Sequence, residues 1–491
     1  MNYNLENYEK CHRQSLKQIV PEVVRLKEKP NTPLQGKRCK SKQGWICVHI
    51  YGTPYMRGYA HGTLLQPELD TVQEIFPYLE KQDLGVSLNT FVKQCQKEII
   101  PIVCVQYPEI YQELLGIADG YKAALKKLQK DKDKDKDKDK DKKADDFSVE
   151  KLIAWNSLLS MFTHYNPASR EDRCSAFIAC GDATEDGDLI MAHNSHSDYV
   201  FARVSNIILK ITPKKGHAFI MQCCPGYVAS GMDWFVTSQG IIGCETTIGG
   251  FLKKPEFKKG TPYFCRIRYA MQHGETIDDY AKIMREKNAG DYPCSWLFGD
   301  IHKKEIMLCE LGLDHTNIEK KKTGIFYGMN SAMDETLRKE ETNDLTHWRT
   351  STTSGARNVR FHKLLYETFQ NKLNVQNAKQ IISDHYDVFL DKNTKGNSRT
   401  LCKHSENDSK KTTGRPPRPF GAIDGKVINS AMAKKMSFVG IFGKSCGGSF
   451  HPKAFVRTHT RKQKKKFKRM TQHLRPIPSY KWVNIEIKSD K

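Results

Sequence analysis

The chain changes its period at Cys174, and that change constrains the fold more than any other feature. Upstream, apolar residues recur at helical spacing from Arg57 onward, through Phe91–Cys104, Pro108–Lys127 and Val149–Phe162. Downstream they form short apolar or alternating runs, Ser175–Cys180, Leu189–His193, Val204–Ile211, Ala218–Gln222, Trp234–Thr237 and Gly240–Cys244, with turns between them. A period of two marks strands, and Asp186-Gly187 is a hairpin pair. Helices are predicted at Pro262–His273, Ile277–Glu286 (opened by Thr276 with Asp279 three residues on), Ser354–Gln370 and Val375–Asp384. Further strands are predicted at Ser295–Asp300, Glu305–Leu311 and Ser437–Phe442. This succession describes a layered α+β body with antiparallel sheets.

Regions follow from the same reading. Residues 1–43 are a polar extension, 44–173 a helical region opened by one strand at Trp45–Ile50, 174–455 the strand-rich body and 456–491 a basic tail. Within the helical region, 131–143 is an almost pure Asp-Lys alternation, which offers nothing to a core and reads as a solvated insertion. Of the 491 residues 38% are hydrophobic, enough for a sizeable core, and no run is apolar and long enough to span a bilayer.

Net charge is +23, much of it in Arg457–Arg469 and in dispersed lysines. Lys predominates over Arg, the residue suited to bidentate phosphate and base recognition, so specific nucleic-acid binding is not expected. Weak attraction to an anionic membrane surface or to acyl-coenzyme A suits the same charge. The fifteen cysteines are odd in number and irregularly spaced, and the first residues contain no apolar leader. Free thiols in a reducing compartment, the cytoplasm by default, are the expectation. Cys223-Cys224 lacks metal-ligand spacing, so neither a metal nor another cofactor is expected. Oligomeric state is not legible.

Cys174 is the residue that looks chemical. It opens the first strand of the series directly after a polar loop, Asn166–Arg173. Cleavage of Arg173–Cys174 would free an α-amine, whose reference pKa of about 8 suits it as general base for its own thiol. Glu245 and Thr246 end an apolar strand, where a buried carboxylate is costly unless paired or functional.

The stretches Arg173–Ala179, Thr184–Gly187 and Ala192–Asn194 resemble the N-terminal nucleophile (Ntn) hydrolases of the isopenicillin N acyltransferase-like and phospholipase B-like group. Gly44–Gly62, the Glu245-Thr246-Thr247-Ile248 block, Ser295–Asp300 and Arg399–Glu406 are similar to further blocks of that group, in order, across about residues 44–455. The resemblance implies a four-layer αββα sandwich preceded by a helical segment. It also implies an autoprocessed cysteine hydrolase or acyltransferase acting on amide or ester bonds of a small acyl amide or lipid, with Cys174 as nucleophile and Arg173–Cys174 as the scissile bond. His193 and Asn194 fall where the family places a polar residue beside the thiol, and Glu245 and Thr246 line the site. The chain departs from related amidases, which have Arg-Asn-x-Asp where it reads His193-Asn194-Ser195-His196. Cys294 stands where relatives have an Asn, which leaves the oxyanion donor open, with Asn330 as a substitute. Relatives of the phospholipase B-like branch are often lysosomal or secreted. Two other readings stay open: a papain-like Cys/His hydrolase using His385 or His404, and a non-catalytic basic binding protein on a degenerate fold.

Overall fold

The computed structural model describes residues 33–131, 147–166, 168, 173–457 and 471–488. The Asp-Lys run from 132 on, the first 32 residues and the basic run 458–470 lie outside the described residues. Along the chain the strands are β1 (Gly36–Arg38), β2 (Ile46–Gly52), β3 (Cys174–Cys180), β4 (Ile190–Asp198), β5 (Ile207–Pro213), β6 (Phe219–Cys223), β7 (Trp234–Thr237), β8 (Ile241–Thr247) and β9 (Cys294–Asp300). They continue as β10 (Glu305–Leu311), β11 (Thr316–Lys321), β12 (Gly324–Gly328), β13 (Tyr386–Asp387), β14 (Lys392–Asn393), β15 (Phe420–Ala422), β16 (Asp424–Asn429), β17 (Ser437–Phe442) and β18 (Val483–Glu486).

Two large sheets result. One has nine strands in the order β1-β2-β5-β6-β7-β8-β9-β10-β11; the other runs β12-β3-β4-β16-β17-β18, with β15 also on β4. All their pairings are antiparallel except β2 with β5. Side chains of both sheets share one apolar cluster, in which Ala176, Ile178 and Met191 meet Ile208, Ile242 and Leu297. The outer face of β3 packs Phe177 and Ala179 against Phe361, Ile381 and Ile382 of helices Thr353–Lys363 and Val375–Ile382. The outer face of the nine-stranded sheet is covered by the helices before residue 166 and by Tyr263–His273 and Ile277–Arg285. Both faces of β3 are therefore buried, which is why its sequence is a continuous apolar run.

Helices Pro54–Leu64 and Pro108–Asp131 cross backbone to backbone. A Cβ at Gly58 would lie 2.0 Å from the Glu113 carbonyl oxygen, and one at Gly120 2.1 Å from that of Tyr59. The crossing brings Arg57 onto Glu113 at 2.6 Å, and Glu113 also holds Arg268 at 2.9 Å, all buried. Glu80 of helix Gln66–Asp83 is also buried, yet neither carboxylate oxygen has a hydrogen-bond partner among the described residues.

Some elements differ from the sequence reading. The helix expected over Phe91–Cys104 is two, Leu88–Glu98 and Ile100–Gln106. Pro101 lacks an N–H and suits the first turn of the second helix, not the middle of one. The helix expected over Ser354–Gln370 is α-helical only to Lys363 and ends in a π turn, Leu364–Thr368. Region 44–173 supplies β2 to the sheet of the body, and the segment expected as a basic tail supplies β18 to the other sheet. Among the described residues no helix is long and apolar enough to cross a membrane.

Candidate active site

Cys174 stands at the first position of β3, nearly inaccessible to solvent, and each of its polar atoms is engaged. Its amide N–H donates to Asn330 Oδ1 at 3.1 Å. Its carbonyl oxygen accepts from Arg357 Nη1 at 2.6 Å. Its thiol donates to Asp233 Oδ2 at 3.6 Å. Arg357 also donates to Asn330 Oδ1 at 3.0 Å, so one guanidinium fixes both ends of the cysteine backbone. The carbonyl of Arg173, on the other side of the expected scissile bond, accepts from the His196 N–H. The Arg173 guanidinium lies over the Phe162 ring, 4.7 Å from its centroid.

Asp233 occupies the turn before β7 with φ of +58°, a left-handed conformation that Asp tolerates better than most residues. That turn aims its carboxylate at the sulfur. Asp233 and Glu245 interact directly as a buried carboxyl pair: burial raises both pKa values, Asp233 to about 6 although its hydrogen bond with Glu245 pulls it down, and the Asp233 charge pushes Glu245 up further. Such a pair holds a proton that two separated carboxylates would release. Glu245 Oε1 accepts from the Tyr292 hydroxyl at 2.7 Å. Burial pushes the Cys174 thiol up, and the Asp233 and Glu245 carboxylates add to this, so the resting sulfur is a thiol.

Facing them from the seven-stranded sheet is a buried cation. Lys426 Nζ lies 3.0 Å from Asp424 and donates to Ser195 Oγ at 3.1 Å and to the Met232 carbonyl at 3.0 Å. Asp424 in turn accepts from the Ser195 N–H at 2.9 Å and from Gln222 at 2.9 Å. Ser195 is the register partner of Cys174, so this network fixes the strand alongside the nucleophile position. Cys174 and Asp233 line a cleft whose apolar wall is Leu158, Leu159, Phe162, Phe201, Tyr227 and Met232.

The residues named from sequence separate by face. His193 is on the inner face, and one of its ring nitrogens lies within 4.8 Å of the Cys174 sulfur and of an Asp233 carboxylate oxygen. Its Nε2 donates to the Glu245 carbonyl at 3.0 Å, and burial keeps the ring neutral, with the Lys426 charge acting the same way. Thr246 also points between the sheets, packing on Gly328 of β12, its hydroxyl without a partner among the described residues. Asn194 requires a correction. Opposite Ser175 in the ladder, it faces away from the sulfur and donates to the carbonyls of Ile382 (2.8 Å) and Leu401 (3.1 Å) and to Ser445 Oγ (3.3 Å). It ties loops together. His385 and His404, the imidazoles a papain-like arrangement would use, lie 3.1 Å apart and His404 contacts the Cys402 sulfur instead. Cys402 and Cys446 join these two histidines in one cluster, whose four donor atoms lie within 4.8 Å of one another.

Asp233, Arg357, Asp424 and Lys426 were not singled out from the sequence. An Asp in a turn and an Arg in a polar helix read as solvated, and β16 was not read as a strand. The sequence signal available was Asp424-Gly-Lys426: two charges at strand spacing just before Val427-Ile428.

A family model for phospholipase B matches residues 86–345. An uncharacterized protein of Archaeoglobus fulgidus is 26% identical over 261 residues, 52% of this chain and 41% of that protein. "Putative phospholipase B-like 2" of Rattus norvegicus is 28% identical over 156 residues, 28% of this chain and 26% of that protein. The alignments thus span less than half the length of these curated relatives. Two solved structures of variants of a conjugated bile acid hydrolase from Clostridium perfringens, 9% and 11% identical, cover 55% and 54% of this chain and 89% of theirs with TM-scores of 0.34. At that score the likeness carries no weight for fold or chemistry.

Proposed function

The chain belongs to the phospholipase B family, and on that premise we propose that it is a self-processing cysteine Ntn hydrolase acting on ester or amide bonds of an acyl substrate. The observation that carries this reading is the convergence on Cys174: Asn330 on its nitrogen, Arg357 on its carbonyl and Asp233 on its sulfur. Any buried backbone N–H and carbonyl must find partners; here both are side chains from two other elements, and a third, Asp233, meets the thiol. The apolar clusters inside and outside the two sheets support the four-layer αββα arrangement.

Self-cleavage proceeds by an N-to-S shift. Asp233 accepts the thiol proton, the sulfur attacks the carbonyl carbon of Arg173, and the His196 N–H holds the oxygen as it gains charge. Collapse breaks the C–N bond, and the nitrogen takes a proton to become the α-amine of Cys174. Water then hydrolyses the thioester. The new amine stays against Asn330 Oδ1, within reach of its own sulfur, and serves as general base in turnover. Departure of Arg173 from the Phe162 ring opens the cleft, whose apolar lining suits an acyl chain. An acyl-cysteine forms with loss of alcohol or amine, and water or an acceptor amine discharges it.

Intact masses of denatured wild type and Cys174→Ala test the reading. Two fragments of 173 and 318 residues from wild type, with the variant left whole, are expected. A wild-type chain that stays at 56.3 kDa overturns self-processing and favours a non-catalytic binding role.

A further inference from the structure

We propose that His385, Cys402, His404 and Cys446 form a structural zinc site on the far side of β4 from the catalytic cleft. The four donor atoms all lie within 4.8 Å of one another. His404 Nε2 is 3.1 Å from His385 Nε2, 3.2 Å from the Cys402 sulfur and 3.5 Å from the Cys446 sulfur. Tetrahedral zinc with bonds of about 2.3 Å to sulfur and 2.0–2.1 Å to nitrogen needs N···N edges of about 3.4 Å and S···N edges of about 3.6 Å. The cluster is close to that size.

Hydrogen bonds alone do not account for it. His404 Nδ1 lies 3.2 Å from Glu406 Oε1, which fixes the ring with Nδ1–H donating and the Nε2 lone pair facing the cluster. One lone pair accepts one good hydrogen bond, whereas three donor atoms crowd around it. A shared cation on which all four lone pairs converge explains the crowding. The outer shell is also built: Glu406 accepts from Tyr199 at 2.7 Å and is held by Lys444, and the Gly448 N–H points at the Cys446 sulfur at 3.4 Å. Gly396, with φ of +80°, passes so near the His404 ring that a Cβ would lie 2.4 Å from Cδ2.

Two thiolates, formed by loss of one proton each, balance the charge of Zn²⁺, and two imidazoles complete the set. Four protein ligands leave no open position, so the role is structural. The ligands come from the segment after helix Val375–Ile382, from the loop around 402–404 and from the turn at 446. Asn194 of β4 bridges the same three segments through Ile382, Leu401 and Ser445. The metal would fasten from outside the strand that carries His193 and Ser195 inside.

The test uses the full chain carrying Cys174→Ala, so that its outcome is independent of self-cleavage. Protein purified without chelator or added metal is analysed for zinc. About one zinc per chain is expected, falling at least about tenfold in Cys446→Ser, a change at an exposed position. Chelator-stripped parent protein should take up Co²⁺ with the visible bands of a tetrahedral ion and a thiolate charge-transfer band, both lost in Cys446→Ser. Metal-free parent protein that gives no such spectrum overturns the site. So does zinc retained in Cys446→Ser, or a Cys402–Cys446 disulfide found by non-reducing peptide mapping.

Discussion

Glu80 offers a quantitative test of how this fold handles buried charge. Burial without a partner pushes its carboxyl from the ordinary 4.5 to about 8. The native state therefore binds a proton between those pH values that the unfolded chain has released, so stability falls as pH rises through that window. Each pKa unit is worth about 1.4 kcal/mol, which gives a cost of about 1 kcal/mol at pH 5, about 3 kcal/mol at pH 7 and at most about 5 kcal/mol above pH 8. Glu80→Gln keeps the shape of the protonated acid and removes the titration. In the uncut Cys174→Ala background, urea unfolding followed by tryptophan fluorescence should show the Gln variant matching its parent near pH 4. By pH 7 it should be more stable by about 3 kcal/mol. Parallel pH profiles for the two proteins, or a Gln variant less stable at pH 7, would refute the reasoning.

Other outcomes follow from the site. If Asp233 takes the thiol proton, it must be ionised to do so, and self-cleavage should accelerate as pH rises through about 6 and level off above it. Asp233→Asn should be slow at every pH and lose the inflection; an unchanged profile would remove Asp233 from the step. Asn330→Ala strips the acceptor from the Cys174 N–H and from Arg357, and should slow cleavage about 10- to 100-fold in quenched time courses. Asn194→Ala should instead lower stability by about 1–3 kcal/mol in urea unfolding, while the folded protein still cleaves at near-parental rate.

What was legible in the sequence was whatever depends on local pattern. The strand opened by Cys174, the capping box of Thr276 and Asp279 and the strand Glu305–Leu311 each occur where period and capping placed them. Asn194 shows where local pattern stops. Period two says that His193 and Asn194 lie on opposite faces, but only the register of Cys174 with Ser195 says which of them faces the sulfur. Asp233 and Lys426 were hidden because both reach Cys174 from elements distant in sequence, one across a turn and one across a sheet. The zinc ligands were missed because only Cys402 and His404 are close in sequence.

β2 sits inside the nine-stranded sheet, paired with β5 from Ile46–Ile207 to Gly52–Pro213. A cut at Arg173–Cys174 therefore leaves one sheet woven from two polypeptides. For the uncut chain, refolding is a first-order process. Once cut, the pieces must find each other, and recovery becomes second-order, with a yield that falls on dilution. The cleaved molecule would keep a record of having folded once as a single chain, and its persistence would rest on how slowly it opens.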